Sequence, residues 1–459
     1  MAQTSTERLR EYLAQLPPSA QALLLREFER ALARGGDPAV ANLVLGELRK
    51  IARGSGPDAA GAPRTEDAAR LLFAALEPFL VDTNGAIRPG QIRRASLLPA
   101  WQWLQREGAV EDIREFEAVL AEPMPAPERD RRVRGVQLAA AEAIERVVAA
   151  GGDSRALARI GGPGVAEDLP AIGAVLKARD ALDGFAGRLP RSMRVLGDSQ
   201  VAAVQAALNV PSLQTRQLLP FALSMVMARL ATPWQIVRLA IAMAASDDEL
   251  RVAATPYGIA VSMAIHDLAR IGGILRADIK RGRFDNVPDH LKTVHDGVRG
   301  LRTELDVRGD SAWGRQIAAI RVDISNALQA EIDSVPGRVR RLLRQRPDKD
   351  ISAHARIDPI EVDETVALID FVAVCRTYAS ELAINEVTLR TFSDLQHYVE
   401  QATETLVGSL RGDDARARAF RRMQVDAAIR FCGVLFGNDY ASLMRRAAEQ
   451  AAAGERKTG

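Results

Sequence analysis

The chain is poor in the residues that most often build cross-linked or metal-bearing sites. Only two cysteines, Cys375 and Cys432, occur in 459 residues. Two cannot form a disulfide framework or a four-cysteine zinc site. Both lie in apolar stretches of helical pattern, residues 371–375 and 431–436, and read as buried thiols in a core. Five histidines leave little material for a metal centre. Aromatic residues are 5% of the chain, low for a sheet protein, whose strands are enriched in them. Neither sign of charge is in excess, with 61 basic and 59 acidic residues and a net charge of +2. That balance argues against a protein that coats a polyanion, so nucleic acid is not the expected partner. Lysine is scarce, and arginine supplies nearly all the basic residues. The bias accompanies an equally inflated alanine content and reads as GC-rich coding rather than as phosphate chemistry.

Long hydrophobic runs are also missing. The least charged stretch, between Arg216 and Arg229, is shorter than the roughly 20 apolar residues a bilayer requires. The segment after it is interrupted by Pro233 and Arg238, so a buried helical hairpin is expected and no transmembrane segment. The first residues carry charge at Glu7, Arg8, Arg10 and Glu11, where a secretory signal needs an apolar run. The expected compartment is the cytoplasm of a bacterium.

What the chain does have is helical periodicity nearly throughout. Leu9, Leu13 and Leu16 recur at helical spacing, as do Leu24, Phe28, Ala31 and Leu32. No alternating run of β-branched residues is bounded by turn signals. The expected fold is all-α: several irregular helical subdomains or bundles with no significant sheet. Small, flexible residues at 54–63 and proline breaks at 122–127 and 346–359 suggest the divisions. These are a small helical region at 1–53, a second at 66–122, a central domain at 128–346, a C-terminal bundle at 358–453 and a frayed tail at 454–459. Gly-Asp-Ser recurs at 152–154, 197–199 and 309–311. It reads as helix punctuation, with glycine closing one helix and aspartate or serine capping the next. The serine-hydrolase elbow needs Gly-x-Ser-x-Gly after a strand, and at 309–314 the second glycine comes one place late.

The sharpest enzymatic signal is Ser262-Met-Ala-Ile-His266-Asp267-Leu-Ala-Arg270-Ile-Gly-Gly273. It resembles the core motif of the metal-dependent HD phosphohydrolases, all-helical enzymes in which adjacent His and Asp hold metal that activates water. The resemblance covers residues 234–296. It implies His266 and Asp267 as metal-binding and catalytic residues, His290 and His295 as further ligands, and a divalent metal as cofactor. The chain departs from the family in having no histidine before His266; Trp234 stands near where the first ligand would be. The hexapeptide Leu-Ala-Arg-Ile-Gly-Gly occurs at both 157–162 and 268–273, and the first copy lacks the His-Asp pair. Part of the motif therefore reads as helix-end grammar.

Other motifs dissolve on inspection. Val81-Asp82-Thr-Asn84-Gly85-Ala-Ile87 is similar to a calcium loop, but its glycine falls at position four and Arg93 at position twelve, so it reads as a turn. The glycines at 161–164 lack the Gly-Lys-Ser/Thr of a phosphate loop and read as a helix break.

The densest charge feature is a helix at 336–346 bearing Arg338, Arg340, Arg341, Arg344 and Arg346. Val335, Val339, Leu342 and Leu343 share its apolar face. Such a helix grips an acidic partner, an anionic surface or nucleic-acid phosphates, or else it pairs with the acidic residues that follow, including Asp348, Asp350, Asp358, Glu361, Asp363 and Glu364. No catalytic constellation is complete. The expectation is a cytoplasmic helical interaction or scaffold protein without catalysis or cofactor, acting through an unknown protein partner or self-association. A diverged phosphohydrolase at His266-Asp267 and an anionic-surface or nucleic-acid binder through the arginine helix are the alternatives.

Overall fold

A computed structural model describes residues 67–453, except 84, 121–123, 151–156, 158, 285, 348–349, 353, 383 and 412–414. Of the first 66 residues it describes Leu13, Leu24, Phe28, Val44 and Leu45. The helical region expected at 1–53, the linker at 54–63, the first Gly-Asp-Ser and the tail at 454–459 therefore fall wholly or largely outside the described residues. The chain divides into two compact units. One comprises residues 1–71 and 117–125, and its described part is small. The other comprises 72–116 and 126–459, and everything below concerns it.

The protein is all-α. Its principal helices are α1 (Leu97–Trp103), α2 (Ala126–Ala150), α3 (Pro163–Lys177), α4 (Arg179–Arg188), α5 (Asp198–Leu208), α6 (Leu219–Arg229) and α7 (Val237–Ala244). They continue as α8 (Ile259–Lys280), α9 (Val287–Glu304), α10 (Ala312–Leu343), α11 (Pro359–Leu382), α12 (Asn385–Ser409), α13 (Ala415–Phe436) and α14 (Asn438–Ala453). The one sheet among the described residues is a parallel pair of two-residue strands, β1 (Leu80–Val81) and β2 (Ile92–Arg93). Parallel strands are usually joined by a crossover helix. Here residues 82–91 make the connection as an irregular loop.

α8 is the centre of the unit. It packs on α9, α10, α7 and the short turn of helix at Pro233–Ile236. Ala260, Val261, Ala264, Ile265, Leu268 and Leu275 are buried along it. It belongs to the described helix that is long and apolar enough to cross a membrane, Pro256–Lys280, with a mean hydropathy of 1.3 and half of the apolar window buried inside the protein. The least charged stretch, 216–229, is a different segment and contains the buried helix α6. The second Leu-Ala-Arg-Ile-Gly-Gly lies inside α8, with Gly272 against Ile324 of α10. The first copy ends a helix, because Pro163 follows it and opens α3 with Gly162 as N-cap. Identical residues thus take different roles according to what comes next, and helix-end grammar does not explain the second copy.

The C-terminal helices α10 to α13 pack mutually. The segment at 346–359 is a connection between α10 and α11, which lie against each other. Ser311 caps α10, its Oγ accepting from the Gly314 backbone N–H at 2.9 Å. At 197–199 the glycine itself is the N-cap, and no side chain caps α5. Cys375 and Cys432 are free and buried, and burial pushes both thiols up in pKa. Trp101 is buried, with its ring edge-on to Phe73 at 6.4 Å, while Trp103, on another face, is half-buried.

Candidate functional site

Three local features bring one polar cluster together. The first is the turn Arg88-Pro89-Gly90-Gln91. Proline supplies the fixed φ of its second position, and Gly90 supplies the left-handed third at φ 77°. The Gln91 N–H closes the turn on the Arg88 carbonyl at 3.2 Å. Gly90 also lies hard against α6: a Cβ there would stand 2.2 Å from the Pro220 carbonyl oxygen and 2.4 Å from Ser224 Oγ. Only glycine permits both the angle and the approach.

The second feature is the anchoring of Arg88 on α6. Its Nη1 donates to Ser224 Oγ at 2.8 Å, and Ser224 donates on to the Gly90 carbonyl at 3.0 Å. Arg88 is 9% exposed. The strand pair behind this loop is clamped by Arg93. Its guanidinium reaches Asp168 at 3.0 Å, Glu167 at 3.0 Å, and the carbonyls of Gly85 and Gly164, both at 3.3 Å. Buried Asp168 also accepts from Ser96 Oγ at 2.6 Å and from the Arg93 N–H. Phe79 packs edge-on against Phe221 at 5.0 Å, tying the start of the segment to α6.

The third feature is α8, which presents His266, Asp267 and Arg270. Asp267 Oδ1 lies 3.7 Å from Arg88 Nε and 3.5 Å from Arg270 Nε, so one carboxylate serves two guanidinium groups. These side chains, with Ser224, Met227, Phe79, Leu80 and Pro233, line a cavity of about 700 Å³. That volume is in the range of small-molecule sites, roughly 300–1,000 Å³.

The electrostatics of this cleft are lopsided. Arg88 and Asp267 form the buried end, Arg270 is half exposed, and Asp82, paired with Arg94, stands at the exposed rim, so the cationic character is local to Arg88 and Arg270. Burial lowers the Arg88 pKa, Asp267 opposes the shift and Arg270 adds to it; a guanidinium nevertheless stays charged. Burial is also the main cause that lowers the His266 pKa. Asp267 pushes it up, and Arg88 and Arg270 push it down. His266 is therefore neutral near pH 7. Its Nδ1 is buried without a hydrogen-bond partner. An orphaned buried N–H is rarer than an orphaned acceptor, which favours the tautomer with the proton on Nε2. That tautomer makes His266 a neutral donor beside two cations.

The arrangement bears directly on the metal that the phosphohydrolase alternative implies. Among the described residues no group of three or more His, Cys, Asp and Glu side chains is placed to hold a metal ion. His290 and His295 do not join His266 and Asp267. His290 Nδ1 lies 3.7 Å from Asp278, and His295 Nδ1 lies 3.0 Å from Asp296 with its ring against Tyr378. The carboxylate of Asp267 is already shared by two arginines. This donor set does not fit the metal that the phosphohydrolase resemblance implies.

The arginine segment expected as a helix at 336–346 is the end of the longer helix α10, which stops at Leu343, so Arg344 and Arg346 lie beyond it, and most of its arginines have partners within the bundle. Its apolar face is buried as expected, with Val335 and Val339 at 0% exposure. Arg341 pairs with Glu361, and Arg338 lies 3.5 Å from Glu364. Arg340 lies over the Tyr398 ring and Arg346 over the Phe420 ring, both at 5.8 Å. Arg344 is exposed. The acidic stretch that follows thus neutralises part of the cluster within the bundle.

Sequence reasoning found His266 and Asp267 but missed Arg88 and Ser224. The Pro89-Gly90 dipeptide was the available signal, since it marks a tight turn. Nothing in the sequence reveals that the turn delivers an arginine to α8. No protein-family model, curated protein or solved structure matches the chain.

Proposed function

We propose that this protein is a helical binding protein whose cleft receives a small anionic ligand, a phosphate or a carboxylate, on Arg88, Arg270 and neutral His266. One observation carries the reading: a 9% exposed arginine, locked by Ser224 and Gly90, faces a ligand-sized cavity with only a shared carboxylate to balance it. Desolvating a guanidinium costs several kcal/mol, of which a partner at 3.7 Å that also serves Arg270 returns only part. An oxyanion in the cleft supplies the rest. Arginine presents a planar fork that matches carboxylate and phosphate oxygens, and the His266 Nε2–H adds a donor without adding charge.

The test is a thermal-stability series at constant ionic strength, with chloride replaced by phosphate, sulfate or acetate. A ligand bound only by the folded state raises the melting temperature with the logarithm of its concentration. Wild type should respond to at least one oxyanion, and Arg88→Met should respond to none. Arg270→Met, at a more exposed position, provides the second variant should Arg88→Met fold poorly. Equal responses in wild type and in both variants would remove the reading.

A further inference from the structure

A second cavity, of about 300 Å³, adjoins the anion cleft. It lies among residues 231–234, α8 and α9, and Pro233 and Asp267 line both spaces. The character of its walls is different. Trp234, Leu268, Ile271 and Pro233 form a mainly apolar side, in which Trp234 Nε1 is buried without a hydrogen-bond partner, while Asp289, Lys292, Thr293 and Asp296 of α9 stand at a polar rim.

The apolar side is held in place by two glycines one turn apart on α9. A Cβ on Gly300 would stand 2.2 Å from the Trp234 ring, and a Cβ on Gly297 would stand 2.4 Å from Leu268 Cδ2. The Trp234 ring and the Leu268 side chain therefore press directly on the α9 backbone. Overpacking prevents any larger residue at either position without displacing those two side chains. This wall of the groove is therefore closely packed against α9.

We propose that the ligand of the cleft is an amphiphilic organic anion: its charged oxygens lie between Arg88 and Arg270, and an apolar group, aromatic or aliphatic, passes Pro233 and Asp267 into the groove beside Trp234. This rests on the anion reading above. Two facts favour it over a bare inorganic ion. The paired spaces have the volume of a small organic molecule. Arg88 and Arg270 stand on one side of Pro233 and the Trp234, Leu268 and Ile271 side chains on the other, which matches a molecule with one anionic and one apolar end, and the carboxylates Asp289 and Asp296 at the far rim disfavour a second anionic group there.

The test compares two probes by titration calorimetry, inorganic phosphate and phenyl phosphate, on the full chain. In wild type phenyl phosphate should bind about tenfold or more tightly than phosphate, the advantage expected when a ring leaves water for an apolar wall. Two variants fill the groove from its rim, Ala231→Trp and Thr293→Trp, both at positions outside the buried core. Each should abolish the preference for phenyl phosphate while leaving the affinity for inorganic phosphate within about twofold. Equal affinities for the two probes in wild type, or a preference that survives in both variants, would overturn the proposal while leaving the anion cleft standing. Binding of neither probe to wild type would overturn the anion reading, and this extension with it.

Discussion

Gly90→Ala tests how the cleft is built. At φ 77° an L-residue carries a left-handed strain of roughly 1–2 kcal/mol. The new Cβ would also stand 2.2 Å from the Pro220 carbonyl oxygen, which belongs to a helix backbone and cannot rotate away. Overpacking of this kind costs roughly 1–3 kcal/mol more, for about 2–5 kcal/mol in all. Gly282 is an internal control. It has φ 67° and open space where its Cβ would go, so Gly282→Ala should cost only the strain, about 1–2 kcal/mol. Chemical denaturation of both variants gives the difference. Hydrogen exchange over residues 80–93 shows where it arises, because a displaced turn releases Arg88 from Ser224 and exposes the strand pair. If Gly90→Ala costs no more than Gly282→Ala, and the 80–93 amides stay as protected as in wild type, the turn does not hold Arg88 against α6 as described.

Further outcomes follow from the same contacts. Ser224→Ala removes the acceptor for a charged donor and should cost about 1.5–3 kcal/mol; it should also shrink the oxyanion-dependent rise in melting temperature, and an unchanged rise would count against Ser224 as the anchor of Arg88. The lowered pKa of His266 sets the sign of a pH effect. Below the unfolded value of 6.5 the unfolded chain takes up a proton that the folded state resists, so stability falls as pH drops from there toward the folded pKa. His266→Gln should flatten that part of the stability curve, and curves that stay parallel from pH 7.5 to 5 would contradict it. Arg341→Glu places like charges together at Glu361 on the surface and should cost at most about 1 kcal/mol. It should leave the response to phosphate intact, whereas a lost response would tie the arginine helix to binding. Gly300→Ala should displace the Trp234 ring, visible as a shifted tryptophan emission with roughly 1–3 kcal/mol of destabilisation; an unaltered spectrum would refute the close packing.

Much of the fold was legible because it rests on local pattern. The spacing of Val335, Val339, Leu342 and Leu343 marks a buried helical stripe, and these residues are buried. Cys375 and Cys432 sit in apolar helical surroundings, and both are buried. The site was only half legible. The His266-Asp267 pair stands out as a motif, but its meaning depends on Arg88, which arrives from far along the chain by way of a short strand pair that has no periodicity to detect. The ligands that the phosphohydrolase alternative implies do not gather among the described residues for a related reason. His290 and His295 follow α8 at plausible spacing, yet among the described residues they form no cluster with His266 and Asp267: His290 Nδ1 is buried without a hydrogen bond, and His295 Nδ1 meets Asp296 at 3.0 Å. Helical spacing says which residues share a face of one helix. It does not say which faces of two helices meet.

The most direct test of the account is a calorimetric titration of inorganic phosphate into wild type and Arg88→Met, with circular dichroism to verify that both are folded. The account predicts saturable one-to-one binding to wild type that is lost in Arg88→Met. Affinity unchanged by the substitution, or no heat with wild type at millimolar phosphate, would contradict it.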